Sequence, residues 1–227
     1  MSEIDIKASS RWRGLLSEDV AVYETSRFVH SPGLFAEESA IVRNAAPSRV
    51  EEFAAGRVCA RRALADLGYP PSPLLRDPDR RPAWPAGCHG SITHTDGHCA
   101  AAVALARLCS GIGIDAEVAG RVGEGLEPRI CTGDEMGRLQ AMDGARRRLA
   151  ATVIFSAKEA FFKSQSHMPG ALRDFHDVEI QLGEATFLVS TQRALPEALR
   201  TLGAIKGHYR IEDGLVYSGI VLPGPES

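Results

Sequence analysis

The dipeptide Asp-Gly stands twice between short runs of strand-forming residues, and this feature constrains the fold more than any other. Asp96-Gly97 separates residues 90–95 from residues 98–106, and Asp213-Gly214 separates HYRIE from LVYSGIVL. Two-residue Asp-Gly loops join antiparallel strands in tight hairpins. The sequence therefore predicts antiparallel pairing near the middle of the chain and again near its end.

Two long helical stretches accompany these hairpins. The first covers residues 47–68, with Ser48 as the expected N-cap and Glu51 three residues later, which is the pattern of a capping box. The second runs from Arg146 to Gln165. A shorter helix of about 12 residues is expected to begin at Thr132, which opens another capping box.

The remaining segments complete an α+β pattern. Residues 69–87 form a proline-rich connector, which disfavours both helix and central strand. Residues 110–118 are β-branched and bounded by glycine, as in a strand, and residues 175–222 suggest short strands around one more helix. Because the elements do not alternate regularly as βαβ units, we assign the α+β class.

Composition excludes several classes of protein. The 227 residues are 44% hydrophobic and 24% charged, with a net charge of −3, so nothing draws the whole chain to nucleic acid or anionic lipid. No segment approaches the roughly 20 apolar residues of a membrane span, and the N-terminus lacks the pattern of a signal peptide. Five cysteines, an odd number, favour a reduced, cytoplasmic protein.

The motif Gly113-Ile-Asp115-Ala-Glu117 places two carboxylates on one face of a strand, because strand side chains alternate. Their mutual repulsion would be offset by a divalent cation, and Mg²⁺ commonly takes one or two carboxylates together with phosphate oxygens. The alternative is a solvent-facing edge strand, since D-x-E is a common string.

A second group of charges lies on the last long helix. Glu159 and Lys163 are four residues apart and share a face, while Lys158 is turned about 100° from Glu159. Lysines can hold phosphate oxygens, and a carboxylate can bind a metal or accept a proton from a hydroxyl. An ordinary surface ion pair is the alternative interpretation.

The first predicted hairpin carries hydroxyls and imidazoles. Thr93 and His94 at its strand end are suitable hydrogen-bond donors to a phosphate. A zinc site is the alternative, although adjacent Cys-His pairs fit the usual ligand spacing poorly. The residues that such a site could use are Cys88, His89, His94, His98 and Cys99.

Taken in order, these three motifs resemble the phosphopantetheinyl transferase superfamily, in particular its Sfp-like branch and the enzymes similar to enterobactin synthase component D. The matching segments are GS-x-TH, G-x-D-x-E and F-S-x-KE-A-x-x-x-K, supported by GRVCARRAL and RRPAWP. Together they cover roughly residues 43 to 165. Phe155 replaces a tryptophan found in many members.

The resemblance implies a fold of two similar α/β halves related by a pseudo-twofold. The halves are expected at residues 1–109 and 110–227, with coenzyme A in the cleft between them. It also implies a monomer, because the Sfp-like enzymes are single chains of about this size.

The resemblance implies a role for each matched residue. Asp115, Glu117 and Glu159 correspond to the metal-binding acids, and Glu159 is also the proposed base. Lys158 and Lys163 correspond to phosphate-binding lysines and His94 to a histidine that contacts coenzyme A phosphate, while Thr93 stands at a cofactor-binding position where many members have serine. Arg49 and Arg57 correspond to basic positions that hold the nucleotide's 3′-phosphate, and Arg76, also expected to bind coenzyme A, stands where a relative would have lysine on the connector. The resemblance also implies catalytic roles for Lys158 and His94, together with the three acids Asp115, Glu117 and Glu159.

The implied reaction moves the 4′-phosphopantetheine group of coenzyme A onto a serine of an apo acyl, peptidyl or aryl carrier protein, with Mg²⁺ or Mn²⁺ as cofactor. The other product is 3′,5′-adenosine bisphosphate. Two alternatives stay open from the residues alone. One is a module that binds a carrier or coenzyme A without catalysis, and the other is a metal-dependent phosphohydrolase.

Overall fold

A computed structural model describes residues 6–26 and 33–224 of the chain. The first sheet is antiparallel and takes its strands from the first half of the sequence. Its strands are β1 (Lys7–Ala8), β2 (Ala21–Thr25), β3 (Cys88–Thr95) and β4 (His98–Leu105). They are arranged in the order β1-β2-β4-β3, so that β3 is an edge strand.

The second sheet is also antiparallel and has five strands. These are β5 (Cys109–Val118), β6 (Val178–Leu182), β7 (Thr186–Thr191), β8 (Ile205–Glu212) and β9 (Leu215–Pro223). Their order is β5-β9-β8-β7-β6, which leaves β5 at the edge.

Both Asp-Gly hairpins are confirmed. Residues Thr95 and His98 pair across the first turn, and Glu212 and Leu215 pair across the second. Asp213 and Gly214 both have positive φ, +51° and +76°, as a type I′ turn requires.

The helices are α1 (Ala36–Ile41), α2 (Pro47–Asp66), α3 (Glu127–Ile130), α4 (Gly133–Gln140) and α5 (Gly144–Gln165). The N-cap of α2 is Ala46, two residues before the expected Ser48, and Pro47 occupies the first turn. Proline is favoured there because its missing N–H would have no helical partner. The capping box of Thr132 and Glu135 is confirmed, although α4 is shorter than expected.

The two sheets pack face to face between the two long helices. Ala101 and Val103 of β4 face α2, whereas Ala100, Ala102 and Ala104 face the second sheet. These small side chains contact Ile112, Ile114 and Tyr217 of the second sheet. Helix α5 covers the opposite face of that sheet and forms the largest core cluster with it.

Side-chain hydroxyls connect the edges of the two sheets. Ser91 Oγ accepts a hydrogen bond from Ile114 N at 3.1 Å, and Thr93 Oγ1 accepts one from Ala116 N at 2.9 Å. The two residues of each hydrogen bond are 23 positions apart in the sequence. Because this offset stays constant along the strands, β3 and β5 run side by side in the same direction.

An N-terminal segment, residues 9–16, also joins the two sheets. Arg11 forms ion pairs with Glu24 of β2 and with Asp213 of the β8–β9 turn, both at 3.0 Å. Trp12 is buried between the sheets, where its ring contacts those of His98 and Tyr217.

The α+β class is confirmed, and each half contains one long helix packed on an antiparallel sheet. The halves differ in strand number, and sheet membership changes between Leu105 and Cys109. Residues 175–222 hold only two 3-10 turns instead of the expected helix. Among the described residues, no helix combines the length and apolar character of a membrane span.

Candidate active site

Two glycines of β5 allow α5 to cross directly over that strand. A Cβ added at Gly113 would overlap the carbonyl oxygen of Ala160, and one added at Gly111 would overlap that of Ser164. Side chains two apart on a strand share a face. Asp115 therefore projects toward α5 just beyond the two glycines, and Glu117 follows it on the same side.

Lys163 of α5 meets Asp115 at this crossing. Its Nζ lies 2.7 Å from Asp115 Oδ1 and 3.2 Å from the carbonyl oxygen of Ile114. Burial alone would lower the pKa of Lys163, but the carboxylates of Asp115, Glu159 and Glu117 raise it above the usual value. The ammonium therefore stays charged and neutralises part of the acidic cluster.

Glu117 and Glu159 also belong to this electrostatic cluster. The pKa of Glu117 is raised to about 7, mainly by burial and next by the neighbouring charge of Asp115. Burial raises the pKa of Glu159 as well, with Lys163 opposing the shift and Asp115 adding to it. Helix position 159 therefore lies within electrostatic range of strand positions 115 and 117.

The donor set fits a hard divalent cation. Asp115 Oδ2 and Glu117 Oε2 are buried and have no hydrogen-bond partner among the described residues. Arg121 Nη1 lies 3.8 Å from Glu117 Oε2 and offsets part of the desolvation cost of this pair of oxygens. A cation that prefers oxygen ligands would offset the rest. Across residues 6–26 and 33–224, no three His, Cys, Asp or Glu side chains already have ligand spacing, so binding requires these carboxylates to turn.

The hairpin residues considered for zinc have separate surroundings. His98 contacts Trp12 and Tyr217, whereas His89 packs on His167 with ring centroids 4.4 Å apart. Cys88 Sγ lies 3.3 Å from the carbonyl oxygen of Pro85. These side chains do not converge on one point.

A second charged group lies beside the hairpin end and is built on α2. Arg57 donates from Nε to the carbonyl oxygen of Leu74 at 2.7 Å, and its guanidinium lies 4.2 Å from the centre of the Phe53 ring. The Arg76 guanidinium lies 5.1 Å from the same ring. The pKa of Arg57 is lowered to about 10, mainly by burial, with the charge of Glu38 opposing the shift and those of Arg76 and Arg49 adding to it. Like charges held this close favour a bound anion.

His94 connects this basic group to the acidic cluster. Its Nε2 lies 2.8 Å from Arg49 Nη1, and its Nδ1 lies 3.7 Å from Glu52. Because a guanidinium only donates, Nε2 must accept, and the ring is neutral with its proton on Nδ1. Burial lowers the pKa of His94, with Glu52 opposing the shift and Arg49 and Lys163 adding to it.

A cleft of about 730 Å³ opens next to Glu159 and Lys163. Its walls come from the proline-rich connector, from β3 and from the end of α5, and most of them are apolar. The apolar lining includes Pro82, Trp84, Ile92, Ile112, Phe162 and Leu172. Sequence reasoning missed this wall, although Trp84 belongs to the RRPAWP segment and Phe162 follows the helix motif.

Two expected ligand contacts are corrected by the structure. Lys158 is fully buried, and its Nζ donates to Glu135 Oε2 at 2.7 Å and to the carbonyl oxygens of Ile130 and Phe175 at 2.8 Å. An ammonium has three donors, so none is left for a phosphate. Thr93 is also buried, and its hydroxyl lies 3.3 Å from Asp115 Oδ1. Thr93 therefore contacts a site residue rather than facing a ligand.

Comparison with known proteins agrees with this geometry. Residues 37–104 match the 4′-phosphopantetheinyl transferase N-terminal domain, and residues 111–209 match the 4′-phosphopantetheinyl transferase superfamily. The chain is 37% identical to the 4′-phosphopantetheinyl transferase Svp of Streptomyces mobaraensis over 198 residues, which is 85% of this chain and 80% of that protein.

Two further relatives widen the comparison. The 4′-phosphopantetheinyl transferase PptT of Mycobacterium tuberculosis is 32% identical over 90% of this chain and 93% of its own length. Enterobactin synthase component D of Salmonella typhi is 35% identical over 55% of this chain and 52% of its own. With the crossing of α5 over β5 and the acids it gathers, these matches show that the chain belongs to the 4′-phosphopantetheinyl transferase superfamily.

Proposed function

We propose that this chain transfers the 4′-phosphopantetheine group of coenzyme A to a serine of an apo acyl, peptidyl or aryl carrier protein. The observation that carries the proposal is the electrostatic cluster of Asp115, Glu117, Glu159 and Lys163, of which Glu159 and Lys163 line a mostly apolar cleft. The other product is 3′,5′-adenosine bisphosphate.

Coenzyme A has an anionic end and a neutral arm, and the site offers a separate surface for each. Arg49, Arg57 and Arg76 would hold the 3′-phosphate, since guanidinium groups bind phosphate through paired donors. His94 and Lys163 would contact the diphosphate. The apolar cleft beside Lys163 would receive the pantetheine arm.

Asp115, Glu117 and Glu159 are the residues that would hold Mg²⁺ or Mn²⁺. When bound, such an ion stabilises negative charge on diphosphate oxygens. Thr93 donates toward Asp115 and helps to fix the direction of this carboxylate.

Glu159 would act as the base. It accepts the proton of the carrier serine while the serine oxygen forms a bond to the phosphorus that bears the arm. The bond from that phosphorus to the bridging oxygen breaks, and the electron pair leaves with the adenosine bisphosphate. A carboxylate of raised pKa suits this role, because a general base works best when its pKa approaches the working pH.

Further features belong to the same proposal. The chain would act as a cytoplasmic monomer, with halves at residues 1–109 and 110–227. The change of sheet between Leu105 and Cys109 supports that boundary, and residues 1–5, 27–32 and 225–227 lie outside the described part.

Intact-mass spectrometry tests the reaction. An apo carrier incubated with the chain, coenzyme A and Mg²⁺ should gain about 340 Da, the mass of one transferred arm. Adenosine bisphosphate should appear in equal amount. Release of inorganic phosphate at unchanged carrier mass would instead indicate a phosphohydrolase. Coenzyme A binding with neither product would indicate a binding module.

A further inference from the structure

The buried ion pair of Lys158 and Glu135 joins several segments around α5. The three acceptors of Lys158 Nζ come from the end of α3, from α4 and from the 3-10 turn that begins at Phe175. Burial lowers the pKa of this ammonium, and the charge of Glu135 opposes the shift. Complete hydrogen bonding is the condition under which a buried ammonium is tolerated.

Both carboxylate oxygens of Glu135 accept hydrogen bonds, just as all three donors of Lys158 are used. Its Oε2 accepts from Lys158 and from the backbone N–H of Thr132 at 2.7 Å, and its Oε1 accepts from Ile180 N at 2.6 Å. The pair therefore connects α5 to the start of α4 and to β6. Both side chains have no exposed surface.

This connection fixes the direction of Glu159. Neighbouring helix residues point about 100° apart, so anchoring Lys158 on one side of α5 turns Glu159 toward the cleft. Lys158 is also linked, through Phe175, to the aromatic side chains beside Glu159. Phe175 gives its carbonyl oxygen to Lys158, and its ring lies 5.7 Å from that of Phe155 and 5.3 Å from that of Phe162. Phe155 and Phe162 flank Glu159 on one helix face.

We propose that the Lys158–Glu135 pair is a positioning element of the transferase site, which sets the rotation of α5 and the aromatic wall beside Glu159. The inference rests on the proposed function for its kinetic part only. Lys158 acts through Glu159 and Phe175 and does not touch coenzyme A. This distinguishes it from Lys163 on the same helix, whose side chain is 30% exposed and lines the cleft.

The test compares Lys158→Met, Glu135→Gln and the double variant with Lys206→Met, an exposed-lysine control. All are assayed well below their Tm. For Lys158→Met, kcat should fall at least tenfold while KM for coenzyme A changes less than threefold, which is the signature of a lost positioning contact. The double variant should recover part of the lost Tm, because no unpaired charge remains buried. It should not recover kcat, because the carbonyl oxygens of Ile130 and Phe175 still lack the donor that Lys158 supplied.

Hydrogen exchange provides a readout that does not need activity. Peptides covering residues 155–165 and 174–180 should exchange faster in Lys158→Met than in Lys206→Met at a temperature where both are folded. A tenfold rise in KM at unchanged kcat would overturn the proposal in favour of a phosphate ligand. Loss of Tm alone, with unchanged kcat and exchange, would overturn it in favour of a purely structural pair. A wild-type chain that modifies no carrier would contradict the proposed function, while the exchange result would still decide the positioning role.

Discussion

At the scale of single residues, Glu159 is the group whose chemistry is most specific. Replacing it by Gln removes the proton acceptor but keeps the size of the side chain. We expect kcat for carrier modification to fall about 10²- to 10⁴-fold, the usual contribution of a general base. The dissociation constant of coenzyme A, measured by titration calorimetry, should change little. Glu18→Gln, at an exposed position, serves as the control, and near-normal turnover in Glu159→Gln would remove the base role.

Arg57 is the residue that tests nucleotide recognition. Arg57→Ala should weaken coenzyme A about 10- to 100-fold, because a charge-assisted contact contributes about 1.5–3 kcal/mol. The loss should be much smaller for 3′-dephospho-coenzyme A. Calorimetric titration of both ligands measures the difference, and Arg62→Ala on the exposed side of α2 is the matched control. Equal losses for the two ligands would argue against a 3′-phosphate contact.

Residue identities in the motifs predicted the acidic cluster but not every role within it. Asp115, Glu117 and Glu159 could be selected because carboxylates at those spacings fit cation chemistry. Lys158 could not be assigned correctly, since its sequence neighbours give no sign of Glu135 or of the carbonyl oxygen of Phe175. Whether a lysine meets a ligand or the protein depends on contacts between distant segments.

At the scale of elements, the site depends on the close crossing of α5 over β5. Gly113→Ala would place a methyl group against the carbonyl oxygen of Ala160, and backbone cannot move aside as a flexible side chain can. We expect a loss of about 1–3 kcal/mol in the free energy of unfolding, typical of overpacking, together with a severe loss of transfer activity.

Gly137→Ala is the matched control for that prediction. Gly137 is exposed within α4, and an added Cβ meets no atom within 4 Å. This change should raise the free energy of unfolding by up to about 1 kcal/mol, because alanine favours helix, and should leave transfer intact. Denaturant titration and the carrier assay measure both variants. A fully active and stable Gly113→Ala protein would contradict the close crossing.

Most elements could be predicted, and the two failures have different causes. The hairpins carry their own turn signal, and α4 carries its own capping box. The N-cap of α2 was misplaced by two residues, at Ser48 instead of Ala46, because Ser48 is a good cap while Pro47 is a good first helical residue. The extra helix expected within residues 175–222 is reduced to two 3-10 turns, because strands β6 to β9 occupy most of that segment.

At the scale of the whole molecule, stability depends on the buried contact between the two sheets. Burial lowers the pKa of His98 to about 4, with Glu24 opposing the shift and Arg11 adding to it. The unfolded chain has the ordinary value near 6.5, so it binds a proton that the folded chain excludes between these two values. Above pH 6.5 His98 is neutral in both states and this difference costs no stability. As the pH falls from 6.5 toward 4, the free energy of unfolding decreases by on the order of 3 kcal/mol.

His98→Phe isolates this effect, since it keeps a ring beside Trp12 and Tyr217 but cannot titrate. Urea titrations from pH 7 to pH 4 should give a shallower decline for the variant than for the wild type. Parallel curves over that range would show that His98 does not exclude the proton.

The arrangement of the two halves could be expected only through the family resemblance. Neither composition nor periodicity predicts that Ser91 and Thr93 hydroxyls bond to the backbone of β5, or that the connector and α5 enclose a cleft. These features arise from contacts between residues far apart in the chain, which local patterns do not encode.

The most direct measurement is a time course of intact carrier mass with the wild-type chain and with Asp115→Asn, at equal concentrations and saturating Mg²⁺ and coenzyme A. We expect a gain of about 340 Da with the wild type and a rate at least about 100-fold lower with the variant, because Asp115 lies where Glu117, Glu159 and Lys163 meet. Equal rates for the two proteins would contradict the placement of the transfer site at the crossing of α5 and β5.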